Sequence, residues 1–237
     1  MYKNIVIVGT SGSIGSALID ECLIKYPEAQ ISAFSRKGEG IINTRVKHYC
    51  IDYTDESALK DSVKDVSKDV DLLLIAIGIL HDGNLMPEKS FKEITLESLN
   101  RLYYVNTILP TMIVKTFIPL LNKFSPVTVA ALSARVGSIS DNKLGGWYSY
   151  RASKAALNMI FKSLSIEIQR INKESCVITL HPGTVDSNLS KPFQNRIKQE
   201  QLFTPKYSAQ KLVKIIDNVT KCDTGKVFAW DGSIITP

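Results

Sequence analysis

Cysteine is sparse in this chain of 237 residues, and the four present, Cys22, Cys50, Cys176 and Cys222, lie far apart with no Cys-x-x-Cys pair. That spacing excludes zinc-ribbon and thiol-redox motifs and leaves structural thiols of a reducing compartment. Long apolar runs are missing too. The longest stretch without a charged residue, Asn4 to Ile19, contains Gly9, Gly12 and Gly15 and is shorter and more polar than a membrane span of about 20 residues. No membrane segment is expected, and with no basic, apolar and small-residue succession of a secretory leader at the start, a cytoplasmic protein is predicted. His48, His81 and His181 share no ligand spacing, so no metal is expected. The 29 Lys and Arg against 23 Asp and Glu leave a net charge of +6. These basic residues are scattered and not interleaved with aromatics, which argues against a nucleic-acid partner. Repeats, low-complexity tracts and linkers are absent. What remains is the composition of a soluble globular protein, 44% hydrophobic and 22% charged, of a length that fits one generous domain.

Short Val- and Ile-rich runs alternate with segments of helical period. The runs 4–8, 30–34, 46–51, 71–75, 127–133, 175–181 and 226–229 read as strands. Ile5-Val6-Ile7-Val8 and Leu72-Leu73-Leu74-Ile75 are apolar at consecutive positions, as strands covered on both faces must be. Ser13 precedes a helical segment at 14–24, Thr54-Asp55-Glu56 opens one at 57–66, Thr95 opens a long one reaching Leu121, and Thr204-Pro205 precedes one at 208–219. Strand and helix in alternation predict an α/β doubly wound parallel sheet, a Rossmann fold, in a single domain. The polar segment 187–201 lacks clear period and reads as a lid over a site.

The first strand runs into Gly9-Thr10-Ser11-Gly12-Ser13-Ile14-Gly15 and a helix follows at once. In that context a glycine turn predicts a dinucleotide site, because glycine lets backbone approach a pyrophosphate and the helix N-terminus offers free N–H groups. The second strand ends Phe34-Ser35-Arg36-Lys37, with no acid until Glu39. An acid there would hold the ribose 2′-hydroxyl of NAD, whereas the Arg36 guanidinium matches the 2′-phosphate of NADP(H). Tyr150 and Lys154 stand four residues apart in a helical segment, and so on one face. At about 4 Å and an effective dielectric near 20 an ammonium favours phenolate by roughly 4 kcal/mol, enough to draw a phenol towards neutrality and suit it to proton transfer.

Taken in order, the glycine turn, Asp52, Ala76-Ile77-Gly78, Asn106, Ser133, Tyr150 with Lys154, and His181-Pro182-Gly183 make the chain resemble the short-chain dehydrogenase/reductase family along nearly its whole length. The segments 132–138, 146–157 and 228–233 look most like its C-factor/Sniffer-type carbonyl reductase branch. The resemblance implies an oxidoreductase moving hydride between nicotinamide and a small carbonyl or alcohol substrate. Tyr150 would be the acid/base, Lys154 would bind the nicotinamide ribose, Ser133 would polarise the carbonyl, and Asn106 would support a proton relay through a water. Cofactor contacts are implied for Gly9, Ser11, Gly12, Ile14, Gly15 and Arg36, for Asp52 and Tyr53 at the adenine, for Ala76, Ile77 and Gly78, for Tyr150 and Lys154, and for Pro182, Gly183 and Val185. A homo-oligomer, dimer or tetramer, pairing through the helices of residues 95–121 and 148–172, is implied as well.

Three departures from the family pattern stand out. Gly12 and Ser13 shift the glycine of the turn. Ala134 takes the second of two serine places, which leaves the serine role to Ser133, 17 residues before Tyr150, or to Ser138. Ala76-Ile77-Gly78 replaces Asn-Asn-Ala-Gly. Trp147, Tyr148 and Phe193 are candidates for an apolar substrate wall, whereas Asp82 and Asp141 read as solvated loop acids. A non-catalytic nucleotide-binding regulator would have no use for the Ser, Tyr and Lys set. An epimerase or dehydratase would need room for a further substrate domain.

Overall fold

Four apolar residues in succession can sit in a strand only where both faces of a sheet are covered, and the computed structural model builds such a sheet. It describes every residue but Glu39 and Asn84, and every side chain of these but that of Arg196; the acid noted at Glu39 therefore lies outside the described residues. In chain order the elements are β1 (Asn4–Val8), α1 (Ser13–Lys25), β2 (Gln30–Ser35), β3 (Val46–Cys50), α2 (Glu56–Ser62), β4 (Leu72–Ile75), α3 (Leu96–Tyr103), α4 (Leu109–Phe117), β5 (Thr128–Leu132), α5 (Tyr148–Ile171), β6 (Cys176–His181), β7 (Thr184–Val185), β8 (Leu202–Phe203), α6 (Pro205–Asn218), β9 (Val227–Ala229) and β10 (Ile234–Ile235). Eight strands form one sheet in the order β10-β9-β6-β5-β4-β1-β2-β3. All neighbours are parallel except β9 and β10, so the doubly wound α/β sheet expected from the sequence is present.

Alternate side chains of these strands enter opposite cores. Val6, Val8, Leu73, Ile75 and Val129 pack with Ile113 and Phe117 of α4 and Leu157 and Phe161 of α5. Ile5, Ile7, Leu72, Leu74 and Ile178 pack on the other face with Leu18 and Ile19 of α1 and Leu212 and Ile216 of α6. Burying one such side chain contributes about 1.5–3 kcal/mol, so a polar residue at any of these positions would break one layer.

The single long helix expected from Thr95 to Leu121 is instead divided. A wider turn covers Tyr104–Ile108, where the N–H of Leu109 reaches back five residues to the Tyr104 carbonyl. Pro110 supplies the cause: it has no N–H to return to the Asn106 carbonyl four residues earlier, so the regular pattern cannot continue. The segment 187–201 forms 3-10 turns at Lys191–Arg196 and Gln199–Gln201. Among the described residues no helix is long and apolar enough to cross a membrane. The strand order reverses between β1 and β4, and at such a switch point the loops leaving the two strands diverge and open a crevice.

Candidate active site

That crevice widens into a cleft of about 1230 Å³, more than the roughly 300–1,000 Å³ that a single small ligand fills. At one end it is made of backbone. Gly9 stands at φ 96°, and a Cβ on it would lie 2.6 Å from the Ala76 carbonyl oxygen; one on Gly15 would lie 2.2 Å from the Gly9 carbonyl oxygen. The turn is therefore closed too tightly for side chains at these two positions. Gly12 flanks α1 without a side-chain cap, and no acid stands in the helix's first turn. The unpaired N–H groups and positive end of α1 thus meet the cleft wall at Ser13, Ile14 and Gly15, a seat for phosphate oxygens. Exposed Arg36 lines the same end, and among the described residues it has no ion-pair partner. These features fit a dinucleotide whose adenosine half carries an added phosphate.

The other end is made of side chains. Tyr150 lies in the first turn of α5, buried with Leu80, Leu102 and Ala134 against Trp147, Leu189 and Phe193. Burial pushes its phenol well above the usual tyrosine range. Lys154, one turn further on, is buried as well, and desolvation lowers its ammonium to about 8. Its Nζ donates to the Leu132 carbonyl at 2.9 Å. This differs from the expectation that Lys154 draws the phenol towards neutrality: loss of water moves both groups, and the ammonium is tied to backbone. A Cβ on Gly78 would fall 3.1 Å from Lys154 Nζ and 3.3 Å from Asn106 Oδ1, so a side chain there would push one of them aside by a few tenths of an ångström. Asn106 is fully engaged. Its Oδ1 accepts the Ile79 N–H at 2.8 Å, and its Nδ2 donates to the Ile79 carbonyl at 2.9 Å and to Ser153 Oγ at 3.0 Å. The wide turn at Tyr104–Ile108 in this way clamps the loop after β4 to α5.

Neither candidate serine turns its proton towards Tyr150. Ser133 donates to Asn158 Oδ1 at 2.7 Å, an oxygen that also accepts Thr179 Oγ1 at 3.0 Å. Ser138 donates to the Thr236 carbonyl and accepts the Asp141 N–H at 3.1 Å. Ala134, with no hydroxyl, packs in the same apolar cluster as Tyr150. His181, next to Ser133 across the sheet, is kept neutral: burial first, and then the Arg135 charge, lowers its imidazole to about 4. The apolar wall is closed by Trp147 against Phe193, ring centroids 5.3 Å apart, and by His81, whose Nε2 donates to the Asn188 carbonyl at 3.1 Å.

Of the residues expected from the sequence, Ser11, Gly12, Ile14, Gly15, Arg36, Ala76, Ile77, Gly78, Ser133, Tyr150, Lys154, Pro182, Gly183 and Val185 all line the one cleft. Gly9 shapes it from behind. Asp52 and Tyr53 do not line it. The Asp52 carboxylate is turned onto Thr54, whose N–H and hydroxyl hold it below the usual carboxylate range. Tyr53 is buried with its hydroxyl donating to the Phe34 carbonyl, the acceptor also used by the Gly9 and Thr10 N–H groups. It therefore braces the glycine turn. Of the apolar candidates Trp147 and Phe193 are in the wall, whereas Tyr148 packs on Phe91. Asp82 and Asp141 pair with Arg101 and Arg135. Sequence reading missed Glu88, Asn158 and the wall role of Arg135. The first two act through contacts between distant segments and carry no local signal.

A parallel sheet with a bare helix N-terminus at its switch point and a buried Tyr and Lys opposite defines an α/β fold of the nucleotide-binding type. The family model for short chain dehydrogenase matches residues 3–198, and the chain belongs to that family. Among curated proteins it is similar to the 1-hydroxy-2-glutathionyl-2-methyl-3-butene dehydrogenase of Rhodococcus sp. strain AD45, 32% identical over 157 residues, 66% of each chain. Among solved structures it is similar to the carbonyl reductase Sniffer of D. melanogaster, with a TM-score of 0.84, 20% identity and 100% of both chains covered. The NADPH-bound carbonyl reductase from chicken fatty liver matches at a TM-score of 0.82 and 21% identity, covering 100% of this chain and 94% of that one. At such identities the structural likeness is one of fold, and the Sniffer-type resemblance expected from the sequence is found.

Proposed function

We propose that the protein is an NADPH-dependent reductase of small carbonyl compounds with an apolar body. The observation that carries this reading is the placement of Tyr150 and Lys154 at one end of a cleft whose other end is the bare first turn of α1 with Arg36 beside it. Arg36 would form a charge-assisted fork with the 2′-phosphate, and the N–H groups of the turn would hold the pyrophosphate. When bound, the nicotinamide supplies hydride to the carbonyl carbon. Tyr150 donates its phenolic proton to the carbonyl oxygen; the raised phenol keeps that proton on at neutral pH, the state that reduction requires. Lys154, lowered to about 8, would return a proton to the phenol and bind a ribose hydroxyl, a role that its closeness to Gly78 in the cleft wall supports. Asn106 acts by holding Gly78 and Ile79 against Lys154. Ser133, with its proton on Asn158, is proposed here as support for the wall, so that Tyr150 is the principal donor to the developing oxyanion. Trp147 and Phe193 take the apolar part of the substrate.

NADPH oxidation against a panel of aldehydes, ketones and quinones tests the reading, with the native protein and Tyr150→Phe run side by side. Turnover by the native protein and none by the variant is expected. A native protein that binds NADPH yet reduces nothing on the panel would point to a regulatory role instead.

A further inference from the structure

We propose that Glu88 is a positioning residue of this site, locking the first turn of α5, and so Tyr150, to the loop that forms the substrate wall; the inference rests on Tyr150 being the acid. Glu88 lies between β4 and α3, and although a carboxylate, it is 3% exposed. Its neighbours Pro87 and Lys89 line the cleft. Its Oε2 accepts the Ser149 N–H at 3.2 Å and its Oε1 accepts the hydroxyls of Ser149 and, at 3.0 Å, Ser98 of α3. Its own carbonyl accepts the Trp147 N–H at 2.5 Å. One residue therefore ties loop, α3 and α5 together.

The start of α5 needs such a tie. Trp147, the residue flanking the helix, is in the left-handed region at φ 52° and offers no side-chain cap, and no acid stands in the first turn of α5. The orphan N–H groups and positive end of that helix are met instead by a carboxylate from another part of the chain. The donors acting on it hold Glu88 below the usual carboxylate range in spite of its burial, so it is ionised at neutral pH. Tyr150 is the residue directly after Ser149. A loosened first turn would move the phenol relative to the substrate wall, while Arg36 and the glycine turn lie at the other end of the cleft.

The test compares Glu88→Ala and Glu88→Gln with the native protein. Since a misplacement of about 1 Å costs on the order of 100-fold, Glu88→Ala should lower kcat for carbonyl reduction at least about tenfold. NADPH affinity should stay within about twofold, and hydrogen exchange at the Ser149 amide should speed up by about tenfold, as loss of a cap implies. Glu88→Gln, which keeps the shape and one acceptor, should recover kcat to within about threefold. An unchanged kcat in Glu88→Ala, or kcat and NADPH affinity lost in parallel, would overturn the proposal. If Glu88→Ala does not fold, Ser98→Ala removes one donor alone and should show the same split with a smaller drop; no drop would count equally against Glu88. Should Tyr150→Phe stay active, the catalytic reading fails first. Should Tyr150→Phe be dead and Glu88→Ala fully active, only the present inference fails.

Discussion

The two ends of the cleft are built differently. At the α1 end the working groups are peptide N–H groups on a turn that closes only because Gly9 and Gly15 carry no Cβ, and a few adjacent residues suffice. At the Tyr150 end each working group is a side chain held by partners from elsewhere: Lys154 by Leu132, Asn106 by Ile79 and Ser153, Ser133 by Asn158. A backbone seat binds any phosphate of the right shape, whereas a seat of side chains sets chemistry and specificity. Damage at the first end should therefore cost affinity, and damage at the second should cost turnover.

The sharpest test of that division is Tyr150→Phe, expected to lower kcat by about 10²–10⁴ with NADPH affinity nearly unchanged; comparable losses in both would erase the distinction between the ends. Next in size, Arg36→Ala should weaken NADPH by about 10- to 100-fold, the worth of one charge-assisted pair, and leave NADH titration curves where they are. Equal weakening of both cofactors would remove the 2′-phosphate from the account.

His181 gives a pH test of burial at the chemistry end. Its folded value of about 4 lies below the ordinary 6.5, so as pH falls the unfolded chain takes up the proton first. The stability tied to the neutral imidazole is complete above about 6.5 and is lost on acidification towards 4, at about 1.4 kcal/mol per unit of separation and so about 3 kcal/mol at most. Thermal melts of native protein and His181→Gln between pH 7 and 4 should differ in slope, with the variant flatter; parallel slopes would mean that water reaches the imidazole. The smallest effect is expected for Ser133→Ala: kcat within about threefold and stability lower by about 1 kcal/mol, the value of its bond to Asn158. A large loss of kcat would return the oxyanion role to Ser133.

Much of this was legible beforehand. The consecutive apolar strands announced a sheet covered on both faces, and Tyr150 and Lys154 share a helix face because four residues make nearly one turn. Other features depend on neighbours that the sequence does not name. The bond from the Tyr53 hydroxyl to the Phe34 carbonyl has no local signal. The helix expected without a break from Thr95 divides at a wide turn that delivers Asn106 to Ile79 in the loop after β4, and Pro110 is the local cause.

By itself the sequence determined the alternation of strand and helix, the tightness of the glycine turn and the spacing of Tyr150 and Lys154, because periodicity and the lack of a Cβ act over a few bonds and need no distant partner. Only the tertiary structure decided which way each proton points and which charges are dry. The phenol is raised by apolar walls drawn from Leu80, Leu102 and Ala134, and Ser133 faces Asn158. Among the described residues Glu88 is the acid singled out by burial. Desolvation and hydrogen-bond choice are properties of the surroundings, and those surroundings exist only once segments far apart in the chain have packed together.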